Sequence, residues 1–173
     1  MIRKALVFTA LLLVPAIAKA DGNIARDAGP FEVTVNGTGS NDSKFHTGSG
    51  AIGGSFGWFA TPNLELGLRD NASYSDFGSG SSWSNNVRVA LDVNLNFDRI
   101  QPFIGGNVGY LSGPDTHTAE AAPEGGVKIF LTNQAFLYGM VEYNFFWHTT
   151  NNGVAGNASH GQFLYGVGLG LRF

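Results

Sequence analysis

Residues 161–173 read GQFLYGVGLGLRF, with a large apolar residue at every second position. The apolar positions are Phe163, Tyr165, Val167, Leu169, Leu171 and Phe173, and glutamine, leucine, glycine or arginine stands between them. A repeat of two residues is typical of a β-strand, because successive side chains of a strand point to opposite faces. Glycine weakens a strand, so the second face of this one must lie where side chains have little room.

The same alternation recurs in seven other segments of the chain. Within 84–97, for example, Val87, Val89 and Leu91 share one face while Arg88 and Asp92 share the other. The predicted strands are 31–40, 48–60, 64–75, 84–97, 101–111, 124–132, 136–148 and 160–173. Short connections at 60–63, 98–100 and 132–135 alternate with long, polar connections at 41–48, 77–85, 112–123 and 149–159.

This arrangement predicts the fold class: all-β, an eight-stranded antiparallel up-and-down transmembrane β-barrel with short turns at one end and long loops at the other. About 9–11 residues suffice for a tilted strand to cross the hydrocarbon core. Closure of the barrel removes the unpaired strand edges that a bilayer does not tolerate. A secreted soluble barrel of the lipocalin type would show the same alternation, with its apolar face turned inward.

Composition and patterning favour the membrane barrel over the soluble one. Charged residues make up 13% of the chain, compared with about 25% in soluble domains. Glycine recurs on the polar face of the strands, which suits a crowded lumen better than a solvated surface. Aromatic residues near both ends of the apolar face resemble two interfacial girdles. They are Phe31, Trp58, Phe97 and Phe173 near the short turns, and Tyr74, Tyr110, Trp147 and Phe163 near the long loops.

The N-terminal sequence MIRKALVFTALLLVPAIAKADG has a basic start, an apolar core and Ala-Lys-Ala before Asp21. This pattern predicts a secretory signal peptide cleaved after Ala20. We therefore divide the chain into a signal peptide (1–20), a short N-terminal periplasmic segment (21–30) and an outer-membrane β-barrel (31–173). The chain has no cysteine, so the exported protein must be stable without disulfides. After residue 20 the sequence has no run of about 18 apolar residues, so it predicts no further membrane-spanning helix.

Three stretches resemble the small eight-stranded outer-membrane barrels, the OmpA-like β-barrel family of Gram-negative bacteria. They are QPFIGGNVGY (101–110), PEGGVKIFLTNQAFLYGMVEYNFFW (123–147) and GVGLGLRF (166–173). The last resembles the family's C-terminal assembly signal, a glycine followed by alternating hydrophobic residues and a terminal aromatic. The residues that would carry this signal are Gly166, Tyr165, Val167, Leu169, Leu171 and Phe173.

The resemblance implies a location in the cell outer membrane, in contact with outer-membrane lipid and lipopolysaccharide. It also implies delivery by periplasmic chaperones to the barrel-assembly machinery, and a monomeric barrel. Full OmpA proteins continue into a periplasmic peptidoglycan-binding domain, whereas this chain ends at the barrel. We therefore do not expect anchoring to the cell wall.

Charged residues on the polar face of the strands predict a network inside the barrel. The candidates are Glu32, Glu65, Arg69, Arg88, Asp92, Lys128, Glu142 and Arg172, four acidic and four basic. An eight-stranded barrel is just wide enough for side chains to fill it, and buried charges must be paired. We expect a plug of paired charges. The alternative is a gated ion path, which would make the protein a narrow channel or transporter for small solutes.

One stretch raises the possibility of an enzyme. In WHTTNNG (147–153), His148, Thr150 and Asn151 resemble the His-x-Ser-Asn motif of outer-membrane lipid A deacylases, in which serine is the nucleophile and histidine the base. Here threonine replaces serine, and Gln162 stands where a carboxylate partner would be needed. The parity of the strand also directs His148 inward. We expect no catalytic site, with a lipid A-modifying hydrolase as the alternative.

Other binding chemistries are weakly indicated. The four histidines, His46, His117, His148 and His160, lie in or beside the predicted long loops without a tight ligand spacing, so we expect no metal and no cofactor. A net-acidic chain without a basic cluster argues against nucleic-acid binding. The sequence therefore favours a structural or surface-interaction protein that acts through its extracellular loops.

Overall fold

Eight antiparallel strands close into a barrel in the computed structural model of the chain, which describes residues 25, 28–41, 48–76, 80–114, 116–147 and 161–173. The strands are β1 (Phe31–Asn41), β2 (Gly48–Thr61), β3 (Leu64–Asp76), β4 (Ser81–Asn94), β5 (Ile100–Gly113), β6 (Thr116–Phe130), β7 (Ala135–Trp147) and β8 (Gln162–Arg172). Each strand pairs with its neighbours in sequence, and β8 pairs with β1. The predicted fold class is confirmed. Within the described residues, no helix is long and apolar enough to cross a membrane.

The apolar face of the strands points outward. Leu91 is 53% exposed, whereas its neighbour Asp92 is 2% exposed and faces the lumen. All eight residues of the two predicted aromatic girdles are exposed in the same way. A soluble lipocalin-type barrel would bury this set, so the orientation of the faces is that of a membrane barrel. Outer-membrane barrels have short periplasmic turns, and we name the two ends of the barrel accordingly.

Inward-facing glycines make room for large side chains on neighbouring strands. A Cβ atom on Gly170 would lie against the Phe136 ring, 2.7 Å from Cε1, and one on Gly168 would lie 2.7 Å from Cε1 of Tyr138. Both rings point into the lumen from β7. The alternation of apolar residues and glycine in β8 therefore has two causes: a lipid-facing apolar surface, and a nearly flat inner face on which β7 aromatics lie.

Two predicted strands were misplaced. β4 was predicted at 84–97 but spans Ser81–Asn94, because pairing with β3 ends where Leu64 meets Val93. β6 was predicted at 124–132 but begins at Thr116, so the predicted long loop 112–123 is wrong. Its early residues are small and polar and end in a proline, which hides the strand, yet they pair in register with β5.

The β1–β8 seam closes the ring and joins the two ends of the barrel domain. Phe31 and Phe173 exchange two backbone hydrogen bonds of 2.9 and 2.8 Å, and register runs from Glu32–Arg172 to Asn36–Gly168. Gly29 precedes this seam with a φ of +107°, and a Cβ atom there would collide with the backbone of Phe173. Only glycine fits this close approach.

Candidate functional site in the barrel lumen

Lys128 forms the charged centre of the periplasmic half of the lumen. Its Nζ donates to Oε1 and Oε2 of Glu32 at 2.6 and 2.8 Å and to Oε2 of Glu65 at 2.8 Å. All three side chains are buried. The rings of Phe59, Phe103 and Phe136 surround the ammonium group, with centroids 5.3–5.6 Å from Nζ. The Lys128 ammonium group therefore makes three hydrogen bonds to carboxylate oxygens, in a site that excludes most solvent.

Arg172 lies beside this group. The sequence predicts an ion pair for it, but its closest contacts are of another kind. Its Nε donates to the carbonyl of Gly29 at 2.7 Å, and its guanidinium stacks 3.5 Å from the centroid of the Phe59 ring. A longer hydrogen bond of 3.5 Å reaches Gln101. Arg172 therefore ties the segment before β1 to the inner wall of the barrel.

Arg69 bridges the middle of the lumen. Its guanidinium forms ion pairs with Asp92, at 2.6 Å, and with Glu124. Asn107 donates a second hydrogen bond to Glu124 at 2.8 Å. The three charged groups come from β3, β4 and β6, so this pairing spans the inside of the barrel rather than one strand pair.

Arg88 holds the third group, closer to the extracellular end. It donates to Glu142 and lies 3.9 Å from Oε1 of Glu120. Asn86 donates to the same Glu120 oxygen at 2.7 Å, and Asn107 donates to Glu142 at 3.1 Å. Each of Lys128, Arg69 and Arg88 thus lies between two carboxylates.

Sequence reasoning missed two of these carboxylates, Glu120 and Glu124, because it took 112–123 for a loop and did not follow β6 inward from Lys128. Both share the parity of Lys128, which is the signal that would have identified them. The described lumen therefore holds six carboxylates against four cations, rather than four against four. The carboxylates are Glu32, Glu65, Asp92, Glu120, Glu124 and Glu142.

An aromatic cluster closes the periplasmic end below the charges. The rings of Phe130 and Phe136 lie 5.2 Å apart, and Tyr138 packs on Phe136 at 6.3 Å. Ala25 and Ala28, from the segment before β1, are buried against these rings. The Ala25 backbone N–H donates to the carbonyl of Asp98 in a periplasmic turn at 2.9 Å. The predicted periplasmic segment therefore contributes directly to the floor of the barrel.

Spaces of unequal size remain between the described residues of the lumen. One of about 40 Å³ lies among the lower charged groups. A larger one of about 380 Å³ lies in the extracellular half. Its lining includes Asn36, Asn71, Ser73, Ser84, Asn86, Arg88, Leu111, Glu120, Met140, Glu142, Asn144, Phe146, Gln162 and Leu164.

The residues of the predicted assembly signal lie on β8 and directly after it. Tyr165, Val167, Leu169 and Leu171 are exposed on the outer face of β8, Phe173 is exposed directly after it, and Gly166 faces inward beside Met140. Whether they act as an assembly signal stays a prediction. His148 and Thr150, like Asn151, His46 and His160, lie outside the described residues.

His117 lies in β6 rather than in a long loop, and its exposed ring stacks on Tyr110 with centroids 6.4 Å apart. Among the residues that the structure describes, no group of three potential metal ligands occurs.

A closed eight-stranded barrel with an apolar exterior and a charged lumen has the architecture of the small outer-membrane barrels. Solved structures with this fold include three outer-membrane proteins. The N-terminal β-barrel domain of Pseudomonas aeruginosa OprF is similar with a TM-score of 0.62 and 15% identity, over 84% of this chain and 98% of that one. Neisserial surface protein A (NspA) gives a TM-score of 0.59 and 11% identity, over 83% of this chain and 95% of that one.

OprG from Pseudomonas aeruginosa gives a TM-score of 0.56 and 13% identity, over 88% of this chain and 99% of that one. No protein-family model matches the sequence, and no curated protein matches it. The predicted likeness to the OmpA-like barrels is thus confirmed for the fold.

Proposed function

We propose that the protein is an integral barrel of the cell outer membrane with a structural or surface-interaction role, exerted through its extracellular loops. In this proposal, residues 1–20 are removed on export, and the lumen is closed to solutes. The observation that carries the proposal is the filling of the periplasmic half of the lumen. Lys128 is held between two carboxylates and three aromatic rings there, above the cluster of Phe130, Phe136 and Ala25.

Energetics support a permanent closure. A solute that crossed the lumen would have to separate Lys128 from Glu32 and Glu65, leaving charges buried without partners. Breaking a buried ion pair in this way costs about 3–5 kcal/mol. The aromatic cluster and the two alanines below it would have to move as well.

The exterior supports the proposed partners. An uninterrupted apolar surface on β7 and β8, bounded by aromatics, suits outer-membrane lipid and lipopolysaccharide and a monomeric barrel. A chain with such a surface needs periplasmic chaperones and the barrel-assembly machinery until it is inserted.

Planar-bilayer conductance tests closure. We expect the purified wild-type protein to give no unitary current steps. Replacing Phe136→Ala should produce measurable current, because it removes a fully buried ring from the floor. Phe145→Ala, on the outer face of the same strand, is the matched control and should stay silent. Regular current steps from the wild-type protein would favour the channel alternative instead.

Fluorescence quenching tests the membrane location. Trp58, Trp83 and Trp147 would be replaced by phenylalanine, and Leu91→Trp would supply the single tryptophan. Lipids brominated at mid-chain should quench it strongly, because position 91 lies on the outer face, within the apolar band that runs from Trp83 to Phe97. A variant that keeps only Trp147, near the end of β7, should be quenched less. Absence of quenching at position 91 in folded protein would contradict membrane insertion.

Mass spectrometry of lipid A separates the proposal from the hydrolase alternative. Cells with and without the protein should yield the same lipid A species. Loss of an acyl chain only in cells that carry the protein, abolished by His148→Ala, would replace the structural role by an enzymatic one.

A further inference from the structure

The extracellular half of the lumen differs from a filled plug because a cavity of about 380 Å³ remains there. This volume is at the lower end of the range for small-molecule sites. The walls carry serine, asparagine and glutamine side chains, and Arg88 and Glu142 lie at the bottom. The cavity therefore combines a partly open volume with many groups that form hydrogen bonds.

Several buried polar atoms on these walls have no hydrogen-bond partner among the described residues. Glu120 and Asn144 are each only 1% exposed, yet Oε2 of Glu120 and both amide atoms of Asn144 are unpaired. Oδ1 of Asn86 and Nε of Arg88 are also unpaired in the part of the chain that the structure describes. Buried polar atoms are normally satisfied, so this cluster points to a molecule that occupies the cavity.

Charge and hydrogen-bonding capacity indicate a cation. Arg88 serves both Glu142 and Glu120, which leaves one negative charge in excess on the cavity wall. Three of the unpaired atoms are acceptors: Oε2 of Glu120, Oδ1 of Asn86 and Oδ1 of Asn144. Asn86 already donates to Glu120 at 2.7 Å, which places two of these acceptors on adjoining side chains.

The lining also has an apolar side. Leu111, Phe146 and Leu164 contribute to the same cavity. A bare metal ion would not use this surface, and the described residues contain no group of three metal-binding side chains. A carbon skeleton attached to the cationic group would pack against it.

We propose that this cavity binds a small organic monocation, a primary amine that carries a short hydrocarbon chain. Each of the unpaired oxygens Glu120 Oε2, Asn86 Oδ1 and Asn144 Oδ1 exposes less than 1 Å², so these side chains turn toward the cavity on binding and accept hydrogen bonds from the ammonium group. The hydrocarbon chain of the amine lies against Phe146 and Leu164. The proposal concerns binding only, and it holds whether or not the periplasmic half of the lumen is closed.

Nuclear magnetic resonance of the folded protein in detergent micelles tests this proposal, with n-butylamine as the probe. The side-chain amide signals of Asn86 and Asn144 should shift and saturate as n-butylamine is added at neutral pH. n-Butanol, of similar size but uncharged, should give no saturable shift. Failure of n-butylamine to shift these signals would mean that the cavity holds water only and would overturn the proposal.

Two glutamine variants locate the binding charge. Glu120→Gln should weaken n-butylamine binding at least tenfold, because it removes the unpaired carboxylate oxygen at the cavity. Glu124→Gln is the matched control, with the same change on the same strand and face but outside the cavity lining, and it should change the affinity less than threefold. Equal losses in both variants would contradict a specific site.

A third variant keeps the test open if Glu120→Gln does not fold. Asn144→Ala removes one uncharged acceptor and its amide donor, and it should weaken n-butylamine binding about threefold to tenfold. Unchanged affinity in folded Asn144→Ala, followed at the Asn86 signal, would overturn the proposed placement of the ammonium group.

Discussion

The periplasmic and extracellular halves of the lumen are built from the same eight strands, yet only the periplasmic half is filled. Below, large side chains such as Phe136 and Tyr138 lie against inward glycines, and the remaining space is about 40 Å³. Above, short side chains such as Ser73, Ser84 and Asn144 line a space of about 380 Å³. Strand number sets the width of a barrel, so side-chain length decides whether a given level is closed.

Closure of the lumen depends on matched residues on neighbouring strands. A large inward ring requires a glycine on the neighbouring strand, as Phe136 requires Gly170 and Tyr138 requires Gly168. Where both neighbours are short, the barrel keeps a polar space. We therefore expect stability to depend on the filled half and binding to depend on the open half.

The largest difference in stability between the two halves should come from removing the central cation of each, Lys128 below and Arg88 above. Lys128→Met leaves Glu32 and Glu65 buried without a partner, and should lower the free energy of unfolding by about 3–5 kcal/mol. Arg88→Met leaves Glu120 and Glu142 without this cation. Both are also buried but lie beside the larger cavity, where rotation of the side chains brings them to water, so the change should cost about 1.5–3 kcal/mol. Urea titration of both variants in the same detergent gives the comparison.

A compensating variant checks the cause of the larger loss. Combining Lys128→Met with Glu32→Gln and Glu65→Gln removes the uncompensated charges, so most of the lost stability should return. If the triple variant is no more stable than Lys128→Met alone, packing rather than charge explains the loss.

A smaller effect should come from adding one methyl group to an inward glycine in each half. In Gly126→Ala, the new Cβ would collide with the Gly139 carbonyl and lie 2.6 Å from Cζ of Phe103, so stability should fall by about 1–3 kcal/mol. In Gly166→Ala, the nearest atom is Cγ of the flexible Met140 at 3.1 Å.

We expect Gly166→Ala to stay within about 0.5 kcal/mol of wild type. Refolding both proteins from urea into detergent measures this difference. Equal destabilisation would show that the extracellular half is packed as tightly as the periplasmic half.

The smallest effect concerns two matched hydroxyl pairs. Thr34 and Ser55 form one below, and Ser73 and Ser84 form one above, each with an oxygen–oxygen distance of 2.6 Å. Ser55→Ala leaves the buried Thr34 hydroxyl with only a 3.5 Å contact to Tyr138 among the described residues, and should cost about 1 kcal/mol.

Ser84→Ala leaves Ser73 at the larger cavity, where water can replace the lost partner, and should cost less than about 0.5 kcal/mol. Thermal unfolding of the two variants in the same micelles distinguishes them. A larger loss for Ser84→Ala would reverse the proposed difference in hydration.

Much of the barrel could be predicted from the alternation of apolar and polar residues. Leu91 and Asp92 were assigned to opposite faces by parity alone, and the structure exposes one and buries the other. Parity is informative because alternate residues of a membrane-barrel strand face either lipid or the lumen, and these two environments favour different side chains. The inward placement of the eight predicted charges depends on the same parity.

The beginning of β6 could not be predicted in this way. Residues 116–123 read THTAEAAP, in which the lipid-facing positions carry histidine, alanine and proline, so the contrast between faces is weak. Glu120 was lost with that strand. The ion-pair partners could not be predicted from the sequence either. Arg69 pairs with Glu124 across the lumen, and the two residues are too far apart in sequence for a local pattern to indicate the contact. The contribution of Ala25 to the floor depends likewise on long-range packing.

The β1–β8 seam determines when the barrel can close. Glu32 and Arg172 stand in register, although almost the entire barrel sequence separates them. Bringing such distant segments together carries a large loop-closure cost and slows folding. Until β8 is available to pair with β1, the chain can form hairpins but no ring, and the backbone edges of β1 and of the last strand present remain open. Each chain that lacks β8 is therefore an incomplete sheet with two unpaired edges, and the pairing of β8 with β1 removes both edges at once.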